Sequence, residues 1–130
     1  MYKILKNILA VIAGIVIGSA INMGFIVAGG EILPLPTGID PMNAELWELK
    51  YFLFPFLAHA IGTLSGTFIT AKLSASYHKA LAYLIGAFFL AGGIAMVYIL
   101  PAPSWFINID LIFAYIPMAW IGAKLAKRKI

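Results

Sequence analysis

Four apolar stretches, each about twenty residues long, organise the chain, with short polar or charged segments between them. They cover about residues 8–30, 51–71, 80–100 and 104–123. Each has the ~20 residues that carry a helix across ~30 Å of hydrocarbon. None shows the strict apolar–polar alternation of a membrane-barrel strand. The pattern predicts an all-α membrane protein, a single domain over 1–130. Its four transmembrane helices are expected to form an antiparallel up-down bundle.

The connections support that bundle. Residues 73–79 and 101–103 are short links, which favour antiparallel neighbours. The segment 31–50 is the only sizeable loop, and Pro34 and Pro36 hold its start extended. Asp40-Pro41 has the form of an N-cap followed by proline at the first helical position. Residues 42–51 are therefore expected either as an interfacial helix anchored by Trp47 and Tyr51, or as an extension of the second span. In the latter case Pro55 kinks that helix or marks its true start. Trp105 and Phe106 suit one aromatic belt and Trp120 the other.

Charge adds orientation. Eight of the nine Lys and Arg residues are Lys3, Lys6, Lys72, Lys79, Lys124, Lys127, Arg128 and Lys129, all at alternate ends of the apolar stretches. The opposite flanks hold Glu31, Asp40, Glu45 and Glu48, with Lys50 the one cation there. Cationic flanks stay cytoplasmic, so both termini are expected inside and the long loop outside. The expected location is the cell membrane, with the lipid bilayer as the chief partner. Ile8 to Gly30 is longer than a signal-peptide apolar core, so it is expected to be a retained first helix despite the small residues Gly18-Ser19-Ala20.

Composition narrows the chemistry. The chain is 63% hydrophobic and 11% charged, more apolar than a soluble domain of this size can hide. Its net charge of +4 is spread over three flanks and forms no basic helix face, so no nucleic-acid partner is expected. There are no cysteines, which excludes disulfides, thiolate catalysis and Cys-ligated metals. No phosphate loop or dinucleotide fingerprint occurs, and no Ser or Thr has a suitable His–acid pair. No enzyme, cofactor or metal site is expected.

Two polar patterns remain. Small residues recur at spacing four as Ala10, Gly14, Gly18 in the first stretch and Ala58, Gly62, Gly66 in the second. Such spacing lets helix backbones approach closely in lipid. The second stretch also places Pro55, His59, Thr63, Gly66 and Thr70 near one face, which should look inward. Counted from the outer ends, Asn22 and His59 lie about 12 Å deep and Asp110 about 9 Å. Three helices thus bring a polar side chain to nearly one level. Asp110 is the one acid within a span. Left ionised and unpaired it would cost about 2.5–3.5 kcal/mol or more. His59 is its natural partner, with Asn22 bridging or orienting the pair, Thr63 beside them and Glu31 guarding an outer mouth.

Two functions fit. The first is a small accessory or structural membrane protein, as a homo-oligomer or a subunit of a larger complex. The second is a proton-linked small-solute transporter or channel component using Asn22, His59, Thr63 and Asp110. The orientation is common to both and testable. Single cysteines introduced at Asn43 and Ser76 should differ in intact cells: an impermeant thiol reagent labels the Asn43 site and spares the Ser76 site. The reverse pattern would overturn the assignment.

Overall fold

A computed structural model describes residues 1–127; Arg128 and Lys129 of the basic C-terminal flank lie outside the described residues. Among the described residues the chain is all-helical. Four helices are long and apolar enough to cross a membrane. Helix α1 is Tyr2–Ile32, α2 is Leu53–Leu73 and α3 is His78–Ile99. The fourth span is divided into α4, Ser104–Phe113, and α5, Ile116–Leu125.

At 31 residues, α1 is about 46 Å long and exceeds the hydrocarbon thickness. It starts at Tyr2 rather than near Ile8, because nothing between those residues breaks a helix. Of the two forms expected of residues 42–51, no interfacial α-helix is present, while residues 49–52 do extend the second span, which runs Leu49–Leu73. The loop before α2 makes two 3-10 turns, Ala44–Leu46 and Leu49–Phe52, the second running directly into α2. The cap also moves. Asn43 Oδ1 accepts from Glu45 N, while Asp40 Oδ1 accepts from Met42 N in a local turn. Pro55 marks the start of α2: it is the third residue of the helix, where no intrahelical N–H bond is lost. Gly38 has φ +91°, a left-handed value that only glycine adopts without strain, and closes a turn in which Ile39 N donates to Pro36 O.

Helix α2 is the hub, packing against α1, α3 and α5. Its contact with α1 is very close along the whole length. Gly14 lies against Gly66 and Thr70, Gly18 against Gly62, and Gly29 against Phe54. Thr70 Oγ1 donates to the Ala10 carbonyl across the gap at 3.0 Å. At the end where α1 begins, Asn7 Oδ1 accepts from Ala75 N and Ser76 N, and its amide donates to Ser76 Oγ. Asn7 thus pins the α2–α3 link, where Tyr77 sits at φ 53°. At the opposite end, Ala44 N donates to Pro101 O and ties the long loop to the α3–α4 turn.

Helix α2 meets α5 through another small residue, since Gly122 lies against Thr67, Leu64 and Phe68. Helices α3 and α5 touch where Gly86 faces Ala119 and Gly93 faces Tyr115. Much of the outer surface is apolar: Ile12, Val16, Met23 and Val27 of α1 are all more than half exposed. A bilayer covers such a surface at no hydrophobic cost.

The close backbone approach generates a prediction. A methyl at Gly18 would stand 2.8 Å from the Gly62 carbonyl oxygen, whereas one at Gly24 meets nothing. Gly18→Ala should destabilise the protein by about 1–3 kcal/mol through forced separation of α1 and α2. Gly24→Ala should be neutral or slightly stabilising, since alanine is the better helix former. Thermal melting in detergent measures both. Equal losses would refute the α1–α2 packing.

Candidate functional site

A proline creates the site's geometry. Pro117 has no N–H for the Phe113 carbonyl and its ring crowds that carbonyl, so the fourth span breaks at Ala114 and Tyr115. Pro117 then serves as the second residue of α5, a position that suits its fixed φ. The break turns the Tyr115 side chain back toward the preceding helix. Its hydroxyl donates to Asp110 Oδ2 at 3.3 Å.

The other carboxylate oxygen belongs to α2. His59 Nδ1 lies 2.8 Å from Asp110 Oδ1. With Asp110 as the carboxylate, its oxygen accepts from the Nδ1 N–H, and Nε2 is the ring nitrogen not used in this bond. The imidazole stacks on the Tyr115 ring, with centroids 5.9 Å apart and planes 24° from parallel. Each of the three side chains therefore contacts the other two. Asp110 is 5% exposed, which a carboxylate tolerates at depth because both its oxygens are bonded.

His59 is different, with its side chain 27% exposed because it borders two cavities. One cavity, of about 320 Å³, is walled by Asn22, Thr63, Phe89, Met96 and Tyr115. The other, of about 260 Å³, lies toward the long loop and is bounded by Trp47, Phe52, Leu100, Phe106 and Asp110. His59, Gly93 and Met96 line both. Above the second cavity, Phe52 packs against Trp47, Trp105 and Phe106 at centroid distances of 5.4, 5.1 and 4.5 Å. The Trp47 indole donates to the Asp40 carbonyl at 3.3 Å. The long loop is thus an aromatic roof over the polar cluster.

Of the residues singled out from sequence, His59 and Asp110 are in direct contact. Asn22 lines the deeper cavity beside His59 but hydrogen-bonds to neither member of the pair, so it does not bridge them. Its side chain packs over Gly62, where an added methyl would lie 3.1 Å from Asn22 Cβ. Thr63 is 1% exposed, and its hydroxyl has no hydrogen-bond partner among the described residues. A buried unpaired hydroxyl costs about 1–3 kcal/mol. The neighbouring Thr67 hydroxyl takes the Thr63 carbonyl instead, at 2.8 Å. Glu31 is exposed in the last turn of α1 and lines neither cavity, so the mouth is aromatic rather than acidic. Thr70 and Gly66, placed on the same stripe as His59, are used against α1 instead.

Tyr115 was not among the residues expected. Its signal was present: an aromatic residue two before an intrahelical proline lies in the turn that the proline disrupts. Comparison with known protein families, with curated proteins and with solved structures finds no match to this chain.

Proposed function

We propose that this small multi-pass membrane protein takes up a small polar solute together with a proton, at a site in the outer half of the membrane. The observation that carries the reading is the position of His59, bonded to a buried acid through one nitrogen while lining both cavities. An ionisable pair inside a span is a functional candidate by its cost alone.

The mechanism follows from the three side chains. Asp110 holds the imidazole orientation by accepting from Nδ1, and Tyr115 fixes the carboxylate by donating to its second oxygen. A proton arriving from the loop side binds His59 Nε2. The resulting imidazolium–carboxylate pair is neutral overall, so it can persist in an apolar span, and it presents a donor to the cavity. On the same cavity wall the Asn22 amide is placed to bond a solute, whereas the Thr63 hydroxyl is buried out of its direct reach. The break in the fourth span beside the acid fits this role, because interrupted helices mark midplane binding sites in transporters. No covalent chemistry is involved.

In this reading the chain crosses the membrane up and down, with both termini cytoplasmic in the cell membrane. The Lys and Arg distribution supports that orientation. The end-to-end contacts support the alternation: Gly29 meets Phe54 while Asn7 meets Ser76, and Gly93 meets Tyr115 while Gly86 meets Ala119. The accessory reading keeps one observation of its own. Helix α1 leaves an apolar face uncovered by the rest of the chain, where a second copy or a helix of a larger complex fits as well as lipid does.

Proteoliposomes containing a pH-sensitive dye test the proposal. With an acid step outside and a panel of small amines, carboxylates and amides, wild-type protein should acidify the lumen faster than empty vesicles for at least one solute class. Asp110→Asn and His59→Ala should remove that excess. Asp110→Asn should fold, since the amide keeps the carboxylate's shape. His59→Ala should also cost about 1–3 kcal/mol, because it leaves a buried acceptor unpaired. Equal flux in wild type and both variants would exclude the pair as the proton site.

A further inference from the structure

A cavity of about 500 Å³, remote from His59, opens at the basic end of the molecule. Two lysines of α5 and its flank, Lys124 and Lys127, converge there with His78 and Lys79 from the first turn of α3. Ala71, Ala123, Ala126 and Trp120 form its walls. The Lys124 ammonium lies over the Trp120 ring, 4.7 Å from its centroid. His78 is anchored through Nδ1 to Ser74 Oγ at 2.8 Å and to the Ala71 carbonyl at 3.2 Å.

Among the described residues no acidic side chain lines this cluster. Four of the five acids lie in the segment from Glu31 to Glu48, and the fifth, Asp110, is bonded to His59 and Tyr115. Helix α3 also begins at the cavity without a side-chain cap, so the positive end of its dipole adds to the lysine charge. The site therefore offers a concentration of positive charge over an apolar floor. Mutual repulsion of the lysines is relieved by an anion. The apolar walls are relieved by hydrocarbon.

We propose that this cavity binds the phosphate headgroup of an anionic phospholipid, with Lys79, Lys124 and Lys127 on the phosphate and the Ala71–Trp120 wall against the glycerol and upper acyl chain. Trp120 favours a lipid over a free anion, because its indole lies in the second half of the fourth span, toward the basic flank, and its ring supplies apolar contact that inorganic phosphate cannot use. Basic pockets between membrane helices are recognised lipid-headgroup sites. The site is independent of the His59 cavity in position and chemistry.

The test is thermal melting of the full chain in a neutral detergent with three additions: phosphatidylglycerol, phosphatidylcholine of the same chain length, and inorganic phosphate. Three proteins are compared: wild type, the triple variant Lys79→Gln/Lys124→Gln/Lys127→Gln, and a control, Lys3→Gln/Lys6→Gln. Lys3, Lys79, Lys124 and Lys127 are exposed and Lys6 is half-buried, so the variants should fold. Phosphatidylglycerol should raise the wild-type and control melting temperatures by several degrees and leave the triple variant unmoved, with no response to phosphatidylcholine. Native mass spectrometry of the same samples should show a tightly retained phosphatidylglycerol in wild type that the triple variant loses. An equal rise in the triple variant, or loss of the rise in the Lys3/Lys6 control as well, would overturn the site. A matching rise with inorganic phosphate would assign the cavity to a free anion and overturn the lipid reading.

Discussion

A carboxylate inside an apolar helix has to be bonded at both oxygens, and that requirement organises the half of this molecule nearest the long loop. Asp110 obtains one partner from α2, His59, and one from its own span, Tyr115. The second partner exists only because the fourth span breaks. In a continuous helix, residues 110 and 115 lie five positions apart, about 500° of rotation, and so project from different faces. Pro117 removes the bond that would keep the span regular. Acid, histidine, tyrosine and proline are therefore one device: each bonds the Asp110 carboxylate or places a side chain that does.

Small residues do the complementary work on the other sides of α2. Lipid exerts no hydrophobic drive between helices, so their association depends on close packing and a few polar contacts. The α1–α2 contact follows this rule, with Gly14, Gly18, Gly62 and Gly66 bringing backbones together and Thr70 bonding across them. The same economy shapes the cavities. Gly93 is where a side chain would run into the Tyr115 ring, its hydroxyl oxygen 2.6 Å from an added methyl. A larger residue there would displace the tyrosine from Asp110. The glycine thus preserves both the polar contact and the space beside it.

Much of this was legible in the sequence, and the reasons differ by feature. The four spans follow from length and hydropathy, which depend on no neighbour. The meeting of His59 and Asp110 followed from depth, since polar side chains at one level in a small bundle have few other partners. Faces were harder to read. Thr70 and Gly66 share the His59 stripe at helical spacing, yet α2 is surrounded by three helices and that stripe is divided between them. Asn22 has the right depth, but α1 meets α2 so closely that its side chain lies over Gly62 and stays clear of the acid. Asn7 gave no signal at all: its bonds to Ala75 and Ser76 depend on a loop far away in sequence. The 3-10 turns at Ala44–Leu46 and Leu49–Phe52 were also hidden, because their shape depends on the Ala44–Pro101 bond and the Phe52 aromatic cluster.

The central claim is that the polar cluster is reached by water from the loop side. Cysteine accessibility tests it most directly, because the chain has no cysteine of its own. Asn22→Cys places a thiol on the deeper cavity wall, and Val16→Cys places one on the exposed apolar face of α1. In intact cells a small, charged methanethiosulfonate reagent should modify the first rapidly and the second slowly or not at all. If Asn22→Cys proves as inert as Val16→Cys, the cavity is closed to water and the cluster is a structural clasp rather than a site of exchange.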